Sequence, residues 1–296
     1  MPEGHSVHRL ARSLHRSFAG APVAVSSPQG RFATGAAQLD GTVLERADAW
    51  GKHLFLAFDR DQVVHVHLGL YGTFVRESAP APEARGAVRL RVVSPRWYAD
   101  LRGPTACDLV GLDGRDAIVA RLGPDPLRRE ADPERAFARI RTSRAPIGAL
   151  LMDQAVIAGL GNIYRAELLF RHRVSPFAEG RALRPATLTA MWDDIGVLMR
   201  DGVRRGRIVT VEPDEREPLA ALDADRPSSD DPDLDGGEDT LALRRLRRST
   251  GTYVYRREGR PCVRCGSRVR AEDFHGRRLY WCPRCQRAPR SARVPR

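Results

Sequence analysis

Four cysteines carry the most specific spacing in the chain. Cys262 and Cys265 form one C-x2-C pair, Cys282 and Cys285 a second, and sixteen residues separate the pairs. Two thiolate pairs at this interval make a tetrahedral Zn²⁺ site, and an all-cysteine shell leaves no open position for a substrate. The spacing therefore predicts one structural zinc holding a β-hairpin together. Arg264, Arg268, Arg270, Arg277, Arg278, Arg284 and Arg287 surround this hairpin, with Tyr280 and Trp281 among them, the make-up of a phosphate-contacting finger. Cys107 stands far from the others and reads as a buried apolar residue.

The amino terminus offers a second kind of chemistry. It reads Met1-Pro2-Glu3-Gly4. Removal of Met1 would expose a secondary amine on Pro2 with a pKa near ~8, which leaves a useful neutral fraction. Such an amine attacks an aldehyde-level carbon and forms an iminium, as lysine does in Schiff-base enzymes. Glu3 beside it could protonate a ring oxygen. Pro followed by Glu is equally an ordinary way to begin a helix. Lys52 is the single lysine among 49 basic residues, and it stands in Gly51-Lys52-His53 at a strand-to-strand turn. Arginine cannot usefully release a proton near neutral pH, whereas lysine can. A role needing a titratable ammonium and the chance survival of one lysine both fit. In Ile157-Ala158-Gly159-Leu160-Gly161-Asn162-Ile163-Tyr164-Arg165 the glycines permit a tight turn. Asn162 would head the next helix, where free amides bind phosphate, although a purely structural turn has the same appearance.

These residues need elements to hold them. Val7, Leu10, Ala11, Leu14 and Phe18 make one apolar stripe at helical spacing over residues 4–18. From about residue 22 to residue 110 the runs PVAVSS, TVLERADAW, KHLFLAF, VVHVHL, VRLRVV and RWYADL, separated by Gly, Pro and Asp turns, predict an antiparallel sandwich or barrel. Residues 81–86 read as a mobile loop. After Gly123-Pro124-Asp125-Pro126 the pattern becomes helical: Asp132-Pro133 is an N-cap followed by Pro. IGALLMDQ, NIYRAELLFRHR and TLTAMWDDIGVLMRDGVRR follow, the last with a core stripe from Leu188 to Val203.

Composition sets the class. Apolar residues at 42% and charged residues at 29% fit a globular protein, and no run approaches the ~20 apolar residues of a membrane helix. The amino terminus lacks a signal-peptide core, and five cysteines are no disulfide scaffold, so the chain reads as cytoplasmic. Residues 212–240 hold twelve acidic residues and two arginines, a local balance of −10, and read as disordered. The remainder carries +22 against a net of +12, which points to a polyanion as partner.

In this order, Pro2-Glu3, the turn lysine, GLGNIYRAE and the ribbon ending WCPRCQ resemble the formamidopyrimidine-DNA glycosylase and endonuclease VIII family of base-excision repair enzymes. The likeness is closer to the endonuclease VIII branch and covers nearly everything except the acidic insert and the tail. It implies an α+β protein with a catalytic N-terminal helix and β-sandwich domain at 1–125 and a helical domain with a helix–two-turn–helix motif at 126–211. An acidic insert at 212–242, a zinc finger at 243–288 and a flexible tail at 289–296 complete this division, with DNA between sandwich and helical domain.

The resemblance also implies roles. Pro2 would be the nucleophile at C1′ of the damaged nucleotide, Glu3 the proton donor that opens the sugar, and Lys52 the residue serving β-elimination. Arg277 would serve δ-elimination, with Arg278 the second candidate. Asn162 and Arg121 would contact the DNA backbone. Leu70-Tyr71 would fill the gap left by a flipped base, while Gly69 departs from the Gln seen in the endonuclease VIII branch. The implied function is a glycosylase and abasic-site lyase acting as a monomer on double-stranded DNA near the nucleoid, removing oxidised bases, with pyrimidines favoured. An 8-oxoguanine or formamidopyrimidine glycosylase on the same scaffold, and a non-catalytic zinc-ribbon DNA-binding protein, are the alternatives. A retained Met1 would favour the last of these.

Overall fold

Helix α1 (Gly4–Phe18) follows the apolar stripe: Val7, Ala11, Leu14 and Phe18 are buried along one face and Leu10 packs at its margin. The structure is a computed structural model that describes residues 2–222 and 251–287. After α1 come β1 (Ala21–Pro22), β2 (Ala24–Ser26), α2 (Ala33–Leu39), β3 (Val43–Trp50), β4 (His53–Phe58), β5 (Gln62–His67), β6 (Thr73–Ser78), β7 (Val88–Val93), β8 (Trp97–Arg102) and β9 (Ala106–Leu109). They form two antiparallel sheets, in the orders β1-β3-β4-β5-β9 and β2-β7-β8-β6. Leu54, Leu56, Val64 and Val66 of the first sheet share one core with Val25, Leu90, Val92 and Leu101 of the second and with α1. The fold is the expected α+β sandwich fed by an N-terminal helix.

The rest of the chain supplies α3 (Gly111–Ala120), α4 (Pro133–Thr142), α5 (Ile147–Leu150), α6 (Asn162–Arg171), α7 (Pro185–Arg205), α8 (Arg216–Leu222), β10 (Arg270–Phe274) and β11 (Arg277–Trp281). Asp132 caps α4 as expected, its carboxylate accepting the Glu134 amide at 3.0 Å. Two units result, each discontinuous in sequence. The first takes in Met1–Ile140, Leu151–Gly161 and Ile195–Arg207, and the second Arg141–Leu150, Asn162–Asp194 and Ile208–Arg296. No helix among the described residues is long and apolar enough to cross a membrane.

Four readings need correction. The run IGALLMDQ yields only the short α5, because Asp153 turns its carboxylate to the Ala155 amide and its carbonyl to Val156 and Ile157, closing a turn instead. Strand β6 is not evident from the sequence because Phe74 is its only buried residue, and α3 because none of its residues is buried. Residues 81–86 are irregular, yet the Pro82 carbonyl is held by the buried Arg91 guanidinium at 2.6 Å. The acidic insert expected to be disordered from residue 212 begins with ordered backbone, a 3-10 turn at Pro213–Glu215 and then α8. Glu212 pairs with Arg171 at 2.7 Å, Glu215 with Arg264 at 2.9 Å, and Leu219 is buried, so these residues have partners that sequence distance hid. The remainder of that insert and the tail lie outside the described residues.

Candidate active site and metal centre

Three glycines build the first unit's site by letting backbones meet. A Cβ on Gly4 would stand 2.9 Å from the Gly159 Cα, and one on Gly51 would stand 2.9 Å from the Gly159 nitrogen. Gly51 and Gly159 also have φ of 55° and 93°, where L side chains are strained. The Gly4 amide donates to the Gly159 carbonyl at 2.8 Å. Pro2-Glu3, immediately before α1, and Lys52, in the β3–β4 turn, are therefore carried onto the same loop. Pro2 and Lys52 are half-buried. Glu3 is buried, and its carboxylate accepts the Gly161 amide at 3.0 Å. Gln154 braces that loop, donating to the Met152 and Leu160 carbonyls at 3.0 and 2.9 Å and accepting the Gly159 amide at 3.0 Å.

Sequence reasoning missed the residues behind this junction. Asp125 is fully buried and receives the Gly51 amide and the His8 ring nitrogen, both at 2.7 Å. Arg128 stacks over Trp50, 4.6 Å from its ring centroid, and donates to the Ala49 carbonyl at 2.9 Å. Next to Lys52, His53 shares a 2.8 Å hydrogen bond with His65, and its ring lies 4.9 Å from that of His67. Burial pushes His53 down to about 3, helped by the positive charge that His65, His67, Arg121 and Lys52 place around it. His65 and His67 are lowered as well, chiefly by burial. The only advance signal was the triplet of histidines on adjacent apolar strands.

Leu70 and Tyr71 project from the β5–β6 connection, Leu70 45% exposed and Tyr71 81%. Beside them, Gly69 has φ 69°, and a Cβ there would fall 1.9 Å from the Thr105 hydroxyl oxygen. A glutamine at position 69 would therefore need a strained backbone and a displaced Thr105 hydroxyl. Arg121 caps the end of α3 and is exposed.

The second unit organises Asn162 and the ribbon. Asn162 opens α6, where its side-chain amide donates to the Arg278 carbonyl at 2.9 Å and its carbonyl oxygen accepts from the buried Arg165. Glu167, also buried, accepts Thr210 Oγ1 at 2.6 Å and the amides of Tyr253, Val254 and Tyr255 at 2.6, 2.9 and 2.8 Å. GLGNIYRAE is thus a turn whose polar side chains are fastened to distant backbone. Strands β10 and β11 pair through a tight turn at His275-Gly276, with Phe274 opposite Arg277. Arg277 shares a strand face with buried Leu279 and Trp281, and Arg278 points the other way, paired with Glu258 at 2.5 Å.

The Sγ atoms of Cys262, Cys265, Cys282 and Cys285 all lie within 4.8 Å of one another. The pairs Cys262–Cys285 and Cys265–Cys282 are 3.9 and 3.4 Å apart. A tetrahedral zinc with ~2.3 Å Zn–S bonds needs edges of ~3.8 Å, so the cage fits one structural Zn²⁺. The Gly266 amide donates to the Cys262 carbonyl at 2.8 Å, and the Cys282 amide to Gln286 Oε1 at 2.8 Å, which shapes both knuckles. Cys107 is buried, which pushes its thiol up to about 12. Two of the ribbon's arginines are engaged within the protein. Arg264 is held by Glu215 and lies over the rings of Tyr253 and Phe170 at 4.7 and 5.1 Å, and Arg268 donates to the Gly259 carbonyl at 2.7 Å. Arg264 thus ties the ribbon to α8's approach, while Arg268 closes a contact within the ribbon itself.

Comparison with known proteins adds to this geometry. The chain matches the formamidopyrimidine-DNA glycosylase N-terminal domain over residues 1–107, the formamidopyrimidine-DNA glycosylase H2TH domain over 122–213, and the zinc finger found in FPG and IleRS over 259–288. Endonuclease 8 1 of Mycobacterium tuberculosis (strain ATCC 25618 / H37Rv) is 51% identical over 291 residues, which cover 97% of this chain and 100% of the relative. The formamidopyrimidine-DNA glycosylase of Mycobacterium avium (strain 104) is 31% identical over 312 residues, 98% of this chain and 100% of the relative. Among solved structures, the Lactococcus lactis Fpg in complex with DNA containing an abasic site has the same fold, with a TM-score of 0.72 at 20% identity over 97% of this chain and 100% of that one. Three matched domains in the expected order and full-length similarity agree: this chain belongs to the formamidopyrimidine-DNA glycosylase and endonuclease VIII family of DNA glycosylases.

Proposed function

We propose that this family member is a bifunctional glycosylase and abasic-site lyase of base-excision repair that removes oxidised pyrimidines from double-stranded DNA and cuts the strand by β,δ-elimination. The observation that carries the reading is the glycine junction, which joins the Pro2-Glu3 terminus and the Lys52 turn to one loop.

Once Met1 is removed, the Pro2 amine attacks C1′ of the damaged nucleotide as the bond from C1′ to the base breaks; the base leaves with that electron pair and takes up the proton that the Pro2 nitrogen gives up. Glu3, held by Gly161, gives its proton to the ring oxygen, so that the sugar opens to an iminium on Pro2. The iminium acidifies the C2′ proton; with Lys52 serving this step, that proton leaves and the 3′ phosphate departs as the β-elimination product. Arg277 serves the second elimination at the 5′ phosphate, a role supported by its place beside the hairpin turn, on the strand face that holds Leu279 and Trp281. Leu70-Tyr71, exposed at its loop tip, fills the space of the extruded base and offsets lost stacking. Arg121 and the head of α6 at Asn162 grip phosphate. The zinc organises the hairpin that bears Arg277 and takes no part in bond-breaking.

Borohydride reduction on abasic-site DNA tests the nucleophile: the crosslink is expected on the N-terminal peptide, and one mapping to Lys52 overturns the assignment. Competition among duplexes carrying thymine glycol, dihydrouracil and 8-oxoguanine tests the lesion. The identity to the relative named endonuclease 8 supports the pyrimidine reading; a strong 8-oxoguanine preference overturns it.

A further inference from the structure

We infer that Asp125 is a positioning residue that sets the Lys52 turn against the Pro2 terminus, an inference that rests on the catalytic reading of Pro2 and Lys52. The Asp125 side chain is fully buried, and each of its oxygens is engaged. Oδ1 accepts the Leu127 amide at 2.9 Å, which fixes the carboxylate on its own segment. Oδ2 accepts two donors from elsewhere, the Gly51 amide at 2.7 Å and His8 Nε2 at 2.7 Å. Gly51 directly precedes Lys52, and His8 lies in α1, the helix that begins just after Pro2-Glu3. One oxygen atom thus joins the two elements that carry the two reacting amines.

The surroundings make this atom hard to replace. Pro124 and Pro126 flank Asp125, restrict the backbone and have no amide hydrogen to compete for the carboxylate. The Pro124 carbonyl accepts the Ala158 amide at 3.1 Å, and the Gly123 carbonyl accepts the Trp50 indole at 3.2 Å. The same short segment therefore holds the β3–β4 turn, α1 and the glycine loop. A carboxylate serves here because it offers two acceptor oxygens and no donor. An asparagine of the same size turns an N–H₂ group toward either the Leu127 amide or the Gly51 and His8 pair, and one of those hydrogen bonds becomes a clash of donors.

Asp125 acts through Lys52, so removing it should slow chemistry without weakening the hold on DNA. Asp125→Asn in the full, zinc-loaded chain is expected to slow single-turnover cleavage of abasic-site DNA by about 10²-fold, the scale of a misplacement near 1 Å. Affinity for DNA carrying a tetrahydrofuran abasic analogue should change by less than about threefold, since the phosphate-gripping residues are untouched. In a Lys52→Ala background the same substitution should add less than about threefold, because residues acting as one unit lose their effect together. His8→Phe, which removes one donor and leaves Asp125 in place, should show the same pattern with a smaller loss and keeps the test open should Asp125→Asn not fold. Losses that multiply in the Lys52→Ala background, or a fall in affinity equal to the fall in rate, overturn the inference. Unchanged cleavage in Asp125→Asn does so too. Failure of the wild-type chain to crosslink through Pro2 overturns the catalytic reading itself, a separate result.

Discussion

The Gly161 amide donates to the Glu3 carboxylate at 3.0 Å, and a Cβ on residue 161 would lie 2.5 Å from the carboxyl carbon of Glu3. Gly161→Ala therefore drives the carboxylate from its seat. Base release from lesion DNA is expected to slow by about 10²-fold, while zinc content stays at one per chain. Stopped single-turnover assays of free base give the measurement, and release at the parent rate would show that Glu3 needs no fixed seat.

Removing zinc should undo the ribbon. Cys262 and Cys282 are buried in one apolar cluster with Tyr253, Val254 and Val269, so the metal's ligands are also core residues. Cys265→Ser, or exhaustive chelation, is expected to abolish zinc in metal analysis and to weaken DNA binding by about tenfold or more through lost phosphate contacts. Full affinity in the zinc-free chain would place the DNA grip outside the ribbon.

The two arginines of β11 should separate cleanly. Arg278 is committed to Glu258 at 2.5 Å, and its carbonyl to Asn162 at 2.9 Å. Arg277→Ala is expected to keep zinc and lesion binding while shifting products from δ- toward β-eliminated ends on a denaturing gel. Arg278→Ala should leave the product ratio as it was. The reverse pattern would move the role to Arg278.

Acid should destabilise the first unit earlier than its carboxylates alone would require. Burial, with the His8 charge, lowers His5 to about 4, and burial with neighbouring cations lowers His53 to about 3. Between those values and the unfolded value near ~6.5 the unfolded chain binds protons that the folded chain refuses. Stability is therefore full above about pH 6.5 and falls as pH drops toward 4, by up to about 1.4 kcal/mol per pH unit for each such histidine. Urea midpoints from pH 7.5 to 4.5 test this, and His53→Phe should flatten the slope. An unchanged slope would mean that His53 protonates in place.

Local pattern made some of this legible and long-range partnership hid the rest. The stripe from Val7 to Phe18, the Asp132-Pro133 start and the two C-x2-C pairs are signals within a few residues, and the structure has each where the spacing puts it. Asp125 could not be read, because its partners Gly51 and His8 lie 74 and 117 residues away. Gly69 could be seen to differ from a relative's glutamine, but the reason, the Thr105 hydroxyl in the way, belongs to another strand connection. The acidic run at 212–222 looked like one solvated stretch because composition does not show that Arg171 and Arg264 wait for two of its carboxylates.

The two ends of the stretch between Leu222 and Gly251 start from common ground. Leu219 and Tyr253 sit in one apolar cluster, and Glu215 reaches across to Arg264 while Glu167 clasps the amides of Tyr253 to Tyr255. The chain thus leaves and re-enters the same packed patch. That makes this position a natural port for inserted sequence. It also means that the ribbon stays seated on α6 through contacts that do not depend on the peptide link running from Leu222 to Gly251.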